Sequence, residues 1–353
     1  MKQFPARTTV ALLVTAVCAA ATPVLFAEDA PEQPAVSAID LYGTSQITAA
    51  DVEERFGEPI RVMVRLREVD RDRARELQRR IRRAIAAMGD FAWVDLAVIA
   101  YFKPDRRVYV TVDVVDADDR ETRMPFREAP TGDPLEDPAG LIDAMARYLD
   151  TGFAMIREGE IDPGRVDCPA FHCIFGWEHP RLKPYGRRFV TGVPEHRDEL
   201  AAILDRSPDP EQRAQAAFLL SHLSDGEEVV GLMVPAILDP DETVRNNAMR
   251  VLADIAWHHP EIAVPLDPVL QALTFPATTD RNKASAVLAG LARRDEYREA
   301  IARRAGPVLV EMLRLQQPNN HDFAYMILTA VSGKGYGERD YARWEAWIEK
   351  ATK

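Results

Sequence analysis

The C-terminal half of this chain carries a repeat that restricts its fold more than any other feature. Arg213 is followed by Ala216, Leu220 and Leu223, at offsets of three, seven and ten. The same offsets lead from Arg245 to Ala248, Leu252 and Ile255, and from Arg281 to Ala284, Leu288 and Leu291. A fourth copy runs from His321 to Ala324, Leu328 and Val331. Those offsets lie on one face of an α-helix. Each copy follows a helix-start signal: Asp209-Pro210, Asp239-Pro240-Asp241, Thr279-Asp280 and Asn319-Asn320. Small Ala at the first apolar position lets neighbouring helices approach closely. The copies recur roughly every 30–40 residues, the period of units that bury their apolar faces only by stacking.

Partner helices fit between the copies, at residues 195–204, 229–238, 266–273 and 302–315. The run Asp-Pro-Asp-Glu-Thr-Val-Arg-Asn-Asn-Ala at 239–248 resembles the motif of the HEAT family. His321 stands where the other copies have Arg, as terminal repeats often do. The ending from Gly335-Tyr336-Gly337 through Trp344 and Trp347 resembles a cap on bacterial proteins of that kind. The resemblance implies an all-α solenoid over 194–353 that binds another macromolecule along its face. HEAT-like repeats also occur in chromophore-handling lyases, an implication that rests on fold analogy alone.

The N-terminal half reads differently. Residues 38–42 form a short strand ending at Gly43, and Thr48 caps a helix over 49–56 that stops at Gly57. Ile60, Val62, Val64 and Leu66 alternate with other residues, a strand-like pattern over 58–69. Ala74, Leu77, Ile81, Ala84, Ile85 and Met88 predict a helix over 70–88. Strands follow over 91–102 and 107–115, with a turn at Pro104-Asp105. The β-α-α-β-β order, with Ile39-Asp40-Leu41-Tyr42-Gly43, Ile47-Thr48, Phe91-Ala92-Trp93-Val94 and the run 108–114, resembles a POTRA domain over 38–116. The fold class expected is therefore an α+β N-terminal domain followed by an all-α HEAT-like solenoid. The sheet edge of such a domain offers a place for strand pairing. Residues 117–140 read as a charged, Pro-containing linker, and 141–193 as a helix plus a joint rich in cysteine and aromatics.

Destination comes from the first residues. Lys2 and Arg7 precede an apolar run over 8–26, and Ala27 offers a cleavage position before Glu28-Asp29. That is the layout of a secretory signal peptide over 1–27, followed by a flexible Pro-containing leader over 28–37. Cys18 follows Val17, where a lipoprotein signal needs a small residue. The expectation is a periplasmic or secreted protein without stable membrane insertion. A net charge of −12 makes nucleic acid a poor partner and leaves protein as the expected one.

Cys168 and Cys173 are the two remaining cysteines, and an even pair in an exported chain points to a disulfide. The alternative is a tetrahedral zinc site from Cys168, His172, Cys173 and His179, and with it a zinc- or thiol-dependent enzyme. Other candidates read as structural: His258-His259 as a helix C-terminal cap, His222 as a groove or surface residue, and Asp116, Asp118 and Asp119 as solvated loop carboxylates. The arginine-rich run over 71–83 reads as a solvated helix face, with a docking surface for an anionic partner as the functional alternative. No nucleophile motif, phosphate loop or paired-acid signature stands out, so no catalytic residue and no cofactor is assigned.

Overall fold

The computed structural model describes residues 35–101, 106–161, 168–176 and 178–352. The signal peptide, most of the leader and the turn at Pro104-Asp105 lie outside the described residues.

The elements in chain order are β1 (Val36–Tyr42), α1 (Ala49–Val69), α2 (Arg71–Ala86), β2 (Phe91–Tyr101), β3 (Arg107–Asp116), α3 (Arg120–Arg123), α4 (Leu141–Glu158), α5 (Lys183–Glu195), α6 (Arg197–Arg206), α7 (Pro210–Leu220), α8 (Gly226–Ala236), α9 (Glu242–His258), α10 (Leu266–Ala272), α11 (Thr278–Leu291), α12 (Asp295–Leu313), α13 (Pro318–Ser332) and α14 (Tyr341–Ala351). An α+β region is followed by a helical body. The sheet order is β1-β3-β2, with β1 parallel and β2 antiparallel to the central β3.

The strand expectation for 58–69 is corrected: α1 runs unbroken from Ala49 to Val69. Thr48 opens it with a reciprocal capping box to Asp51. Gly57 does not stop the helix; the Arg61–Glu53 ion pair passes over the space its missing Cβ leaves. Pro59 removes one backbone donor. Burial then selects the period, because Ile60, Met63 and Val64 are the residues that reach the core, a helical spacing. They pack with Ile81 and Ile85 of α2 against Val94, Leu96, Val108, Val110, Val112 and Val114 on one sheet face.

The opposite sheet face is also covered, which explains why β3 is buried along nearly its whole length. Tyr109, Thr111, Asp113 and Val115 alternate with the valines and meet the helical body. There α7, α9, α11 and α13 form a row, with α6, α8, α10 and α12 packed behind as partners. Ala216, Leu220, Leu223, Ala248, Leu252, Ile255, Ala284, Leu288, Leu291, Ala324 and Leu328 are buried between the layers, and Val331 is partly buried at the last step. Trp344 of α14 is buried at the C-terminal end, and its indole N–H donates to the Gly337 carbonyl.

The repeated arginines form rungs inside this body. Arg213, 2% exposed, donates from Nε and Nη2 to Asp239 at 2.9 and 2.8 Å. Arg245 makes the same reach to Asp280 at 3.0 and 2.7 Å. For Arg281 the partner comes from elsewhere. Asn320 occupies the matching place on α13, and Asp113 of β3 supplies the carboxylate at 2.6 Å. Thr278 donates to the other Asp113 oxygen from its hydroxyl at 2.7 Å and its amide at 3.0 Å. The Arg281 guanidinium also lies 3.9 Å from the Tyr42 ring centroid. Beside it, Asp40 of β1 accepts from the amides of Gln316 and Gln317 ahead of α13. The sheet is thus bolted into the helical row.

Residues 117–140, expected as a linker, lie packed along the same seam. Arg123 donates to the carbonyls of Gly43, Val114 and Thr274. Phe126 sits under the Arg245 guanidinium at 4.0 Å, and Arg127 joins Asp239 at 2.6 Å. Burial pushes the Asp239 carboxyl up, but hydrogen bonds from Arg213 and Arg127 outweigh it and hold it below the ordinary range. Asp280 accepts hydrogen bonds from one arginine, Arg245, with Arg281 acting only through its charge, and burial pushes it up to about 6.

Candidate functional site

The aromatic joint between α4 and α5 forms one wall of an open groove. The Cys168–Cys173 disulfide, with Cα atoms 5.6 Å apart, closes the segment into a short ring. Two bonds to the end of α7 fix that ring: the Phe171 amide donates to the Ser221 carbonyl at 2.9 Å, and the Ser221 hydroxyl donates to the His172 carbonyl at 3.2 Å. Tyr148 of α4 holds the far side, donating to the Gly176 carbonyl and accepting from the Phe175 amide. Phe175 rests directly on α4 at Gly152, where an added Cβ would meet its ring at 2.0 Å. Glycine is required there by contact.

The groove encloses about 1060 Å³. Its apolar wall comes from Leu149, Phe153 and Ile156 of α4 and from Phe171 and Ile174 of the joint. Phe153 is 49% exposed, one of the few large apolar side chains so placed among the described residues. The facing wall is polar and belongs to α9: Thr243, Asn247, Arg250, Asp254 and His258. One α9 face thus packs into the row while the adjoining face is open to a ligand.

His172 stands between the walls. Its Nδ1 is 2.7 Å from Asp254 Oδ2, and its ring stacks on Phe218 with centroids 5.0 Å apart. The His172 Nε2 is buried and has no hydrogen-bond partner among the described residues. Behind it, a cavity of about 10 Å³ is lined by His172, His222, Phe189 and Tyr148. Such a space is about the size of one water molecule. Burial depresses His222 to about 4, and its Nδ1 faces the carbonyls of Phe218 and Leu219. His222 is therefore neutral at physiological pH.

The proposed zinc ligands are not gathered. Both sulfurs are consumed in the disulfide, so neither is a thiolate able to bind metal. His172 turns to Asp254, whereas His179 lies toward Glu160 and accepts from the Arg181 amide. No group of three or more His, Cys, Asp or Glu among the described residues is arranged to hold a metal ion. His172 and Asp254 form an acid–imidazole pair, and no hydroxyl or thiol of the described residues lies on its second nitrogen.

Sequence reasoning missed Arg250 and Asp254. Both lie on α9 outside the repeat's apolar offsets, where charge ordinarily signals solvent. Only the joint folding over α9 turns that face into a wall. It also missed Asp113, whose signal was a lone carboxylate within the β-branched run 110–114.

No protein-family model and no curated protein matches the chain. Among solved structures, it is similar to an engineered protein at 20% identity, over 43% of this chain and 73% of that one, with a TM-score of 0.31. A likeness of that size carries no argument about fold or function. Among the described residues, no helix is long and apolar enough to cross a membrane.

Proposed function

We propose that this chain is an exported, non-enzymatic scaffold or adaptor that holds a protein partner in the groove between α4, the disulfide-closed joint and α9. In this reading the helical row is a HEAT-like solenoid, and the sheet with α1 and α2 is a POTRA-like domain fastened to it. Residues 1–27 direct the protein to the periplasm or the outside. The disulfide accords with an oxidising compartment.

One observation carries the reading. The groove is large, half apolar and half polar, and its walls are fixed by a disulfide and backbone hydrogen bonds, a preorganised site for an extended segment. Strand addition at β2 has less support. The carbonyls of Val94 and Leu96 on that edge strand already accept from Arg82 and Gln78.

The test is site-directed photo-crosslinking in the native envelope. A photoreactive side chain at Phe153 should capture one polypeptide reproducibly, and the same group at Val190 on α5 should not. Equal labelling from both positions would remove the groove from the reading. Turnover of a small molecule by the pure protein, abolished by Phe153→Asp, would replace the scaffold with an enzyme.

A further inference from the structure

The repeated arginines set a standard against which two other cations stand out. Arg213, Arg245 and Arg281 are each matched to a buried carboxylate. Arg250 lines the groove, and among the described residues it is held by no direct hydrogen bond or ion pair, only by the longer-range attraction of Asp254. Its natural partner is Asp254, one turn further along α9, but that carboxylate is engaged by His172 at 2.7 Å. Lys283, on the neighbouring α11, has only the side-chain oxygen of Asn282, at 2.7 Å, among the described residues. Burial, with the nearby Arg250 charge adding to it, lowers the Lys283 ammonium to about 8. Arg250 therefore has only a carboxylate already held by an imidazole, and a second poorly solvated cation, Lys283, stands near it.

We propose that Arg250, with the charge of Lys283 near it outside the groove lining, forms an anion subsite of the groove, and that it takes the side-chain carboxylate of an acidic–apolar peptide segment of the partner. The inference rests on the groove reading above and names the partner's chemistry. A guanidinium fork matches a carboxylate in two parallel hydrogen bonds, and an ammonium beside it adds a point charge. A half-buried cation without a counter-ion destabilises the free protein, so an incoming carboxylate relieves that cost as it binds. The opposite wall sets what accompanies the acid. Phe153, Ile156 and Phe171 present apolar surface across the groove, suited to an aromatic or branched aliphatic side chain next to the carboxylate. A polyanion such as nucleic acid fits poorly, because two cations stand in a chain of net charge −12.

The experiment uses the mature chain, residues 28–353, on an array of random 12-residue peptides blocked at both ends. The bound set should be enriched in Asp or Glu within two residues of Phe, Leu or Met. For those peptides, Arg250→Met should weaken binding about tenfold or more, Lys283→Met less, and Arg250→Lys least of all. Acetate should raise the melting temperature above chloride at equal ionic strength, and Arg250→Met should erase that difference. Should Arg250→Met not fold, Arg250→Lys and Lys283→Met carry the same comparison. Binding without acid preference, unchanged in these variants, would overturn the subsite and leave the groove standing. A preference for free C-terminal carboxylates over blocked peptides would overturn the side-chain assignment. Failure of every peptide, together with no capture from Phe153, would remove the groove itself.

Discussion

Arg245 and Arg250 belong to the same helix and have opposite fates. Arg245 points into the seam, where Asp280, two backbone carbonyls and the Phe126 ring consume its charge and its planar face. Arg250, little more than one turn later, faces a groove and has no such partner among the described residues. The seam is matched in charge, although Arg281 Nε keeps no partner among the described residues: each of Arg213, Arg245 and Arg281 is bound to a carboxylate, and one rung reaches across to the sheet. The groove is not matched in charge: its cation has only a carboxylate that an imidazole already holds, and it carries an unpartnered imidazole nitrogen and an exposed phenyl ring. Stability and recognition thus draw on the same residue types, and what separates them is whether the chain itself supplies the counter-ion.

The contrast is broken most severely at its tightest rung. Arg281 is 0% and Asp113 1% exposed, so removing either one strands a buried charge. Arg281→Ala should cost about 3–5 kcal/mol in urea unfolding and make the N-terminal sheet more susceptible to limited proteolysis as it loosens from the row. The paired replacement Arg281→Met with Asp113→Leu should recover most of that loss, because no lone charge remains. If the double variant is as unstable as the single one, the rung holds the sheet by shape and not by charge.

His222 tests the boundary between the two regions. Burial lowers it from 6.5 to about 4, so the folded protein keeps it neutral while the unfolded chain protonates below 6.5. Stability from this group is complete above that pH and falls as pH drops toward 4. A shift of this size is worth roughly 3 kcal/mol by pH 4. Unfolding followed between pH 7 and pH 4 should show His222→Gln taking up about one proton fewer than the parent chain. An unchanged slope would mean that His222 is solvated.

Much of the seam could be read from the sequence, and little of the groove. The offsets from Arg213, Arg245 and Arg281 carry helical geometry in themselves, and the residues they mark lie between the two helical layers. Gly57 misled because it is a local stop signal, and burial of Ile60, Met63 and Val64 overrides it. Tyr109, Thr111 and Asp113 look like the wet face of an edge hairpin, yet a second layer covers them. Nothing within the strand announces a partner more than 160 residues away. Arg250 was illegible for a related reason: its meaning depends on where His172, some 80 residues earlier, directs Asp254.

The disulfide is the next lever, smaller in energy and specific to the groove. A ring of this length limits the unfolded chain only modestly, so Cys168→Ser with Cys173→Ser should lose about 2 kcal/mol. The seam should keep its unfolding cooperativity, while capture from Phe153 should fall because the joint no longer holds its wall. If crosslinking is unaffected, the bonds of Phe171 and Ser221 suffice to shape the groove.

Lys283 gives the smallest effect and the sharpest view of the contrast. Its ammonium titrates near 8 in the folded protein, against 10.5 for a lysine of the unfolded chain. For a base depressed by folding, the charged form is the costly one. The cost is therefore fully present below pH 8 and is relieved as pH rises toward 10.5. Partial contact with solvent reduces the full value, leaving roughly 1–2 kcal/mol. Lys283→Met should then be more stable than the parent at pH 7 by that amount, and the two should converge near pH 10.5. No comparable gain is expected from neutralising Arg213, whose charge is matched. A peptide that fills the subsite should shrink the gap at pH 7, because its carboxylate supplies the missing counter-ion. A gap that ignores both pH and peptide would detach Lys283 from the subsite, and the charge contrast between groove and seam would then rest on Arg250 alone.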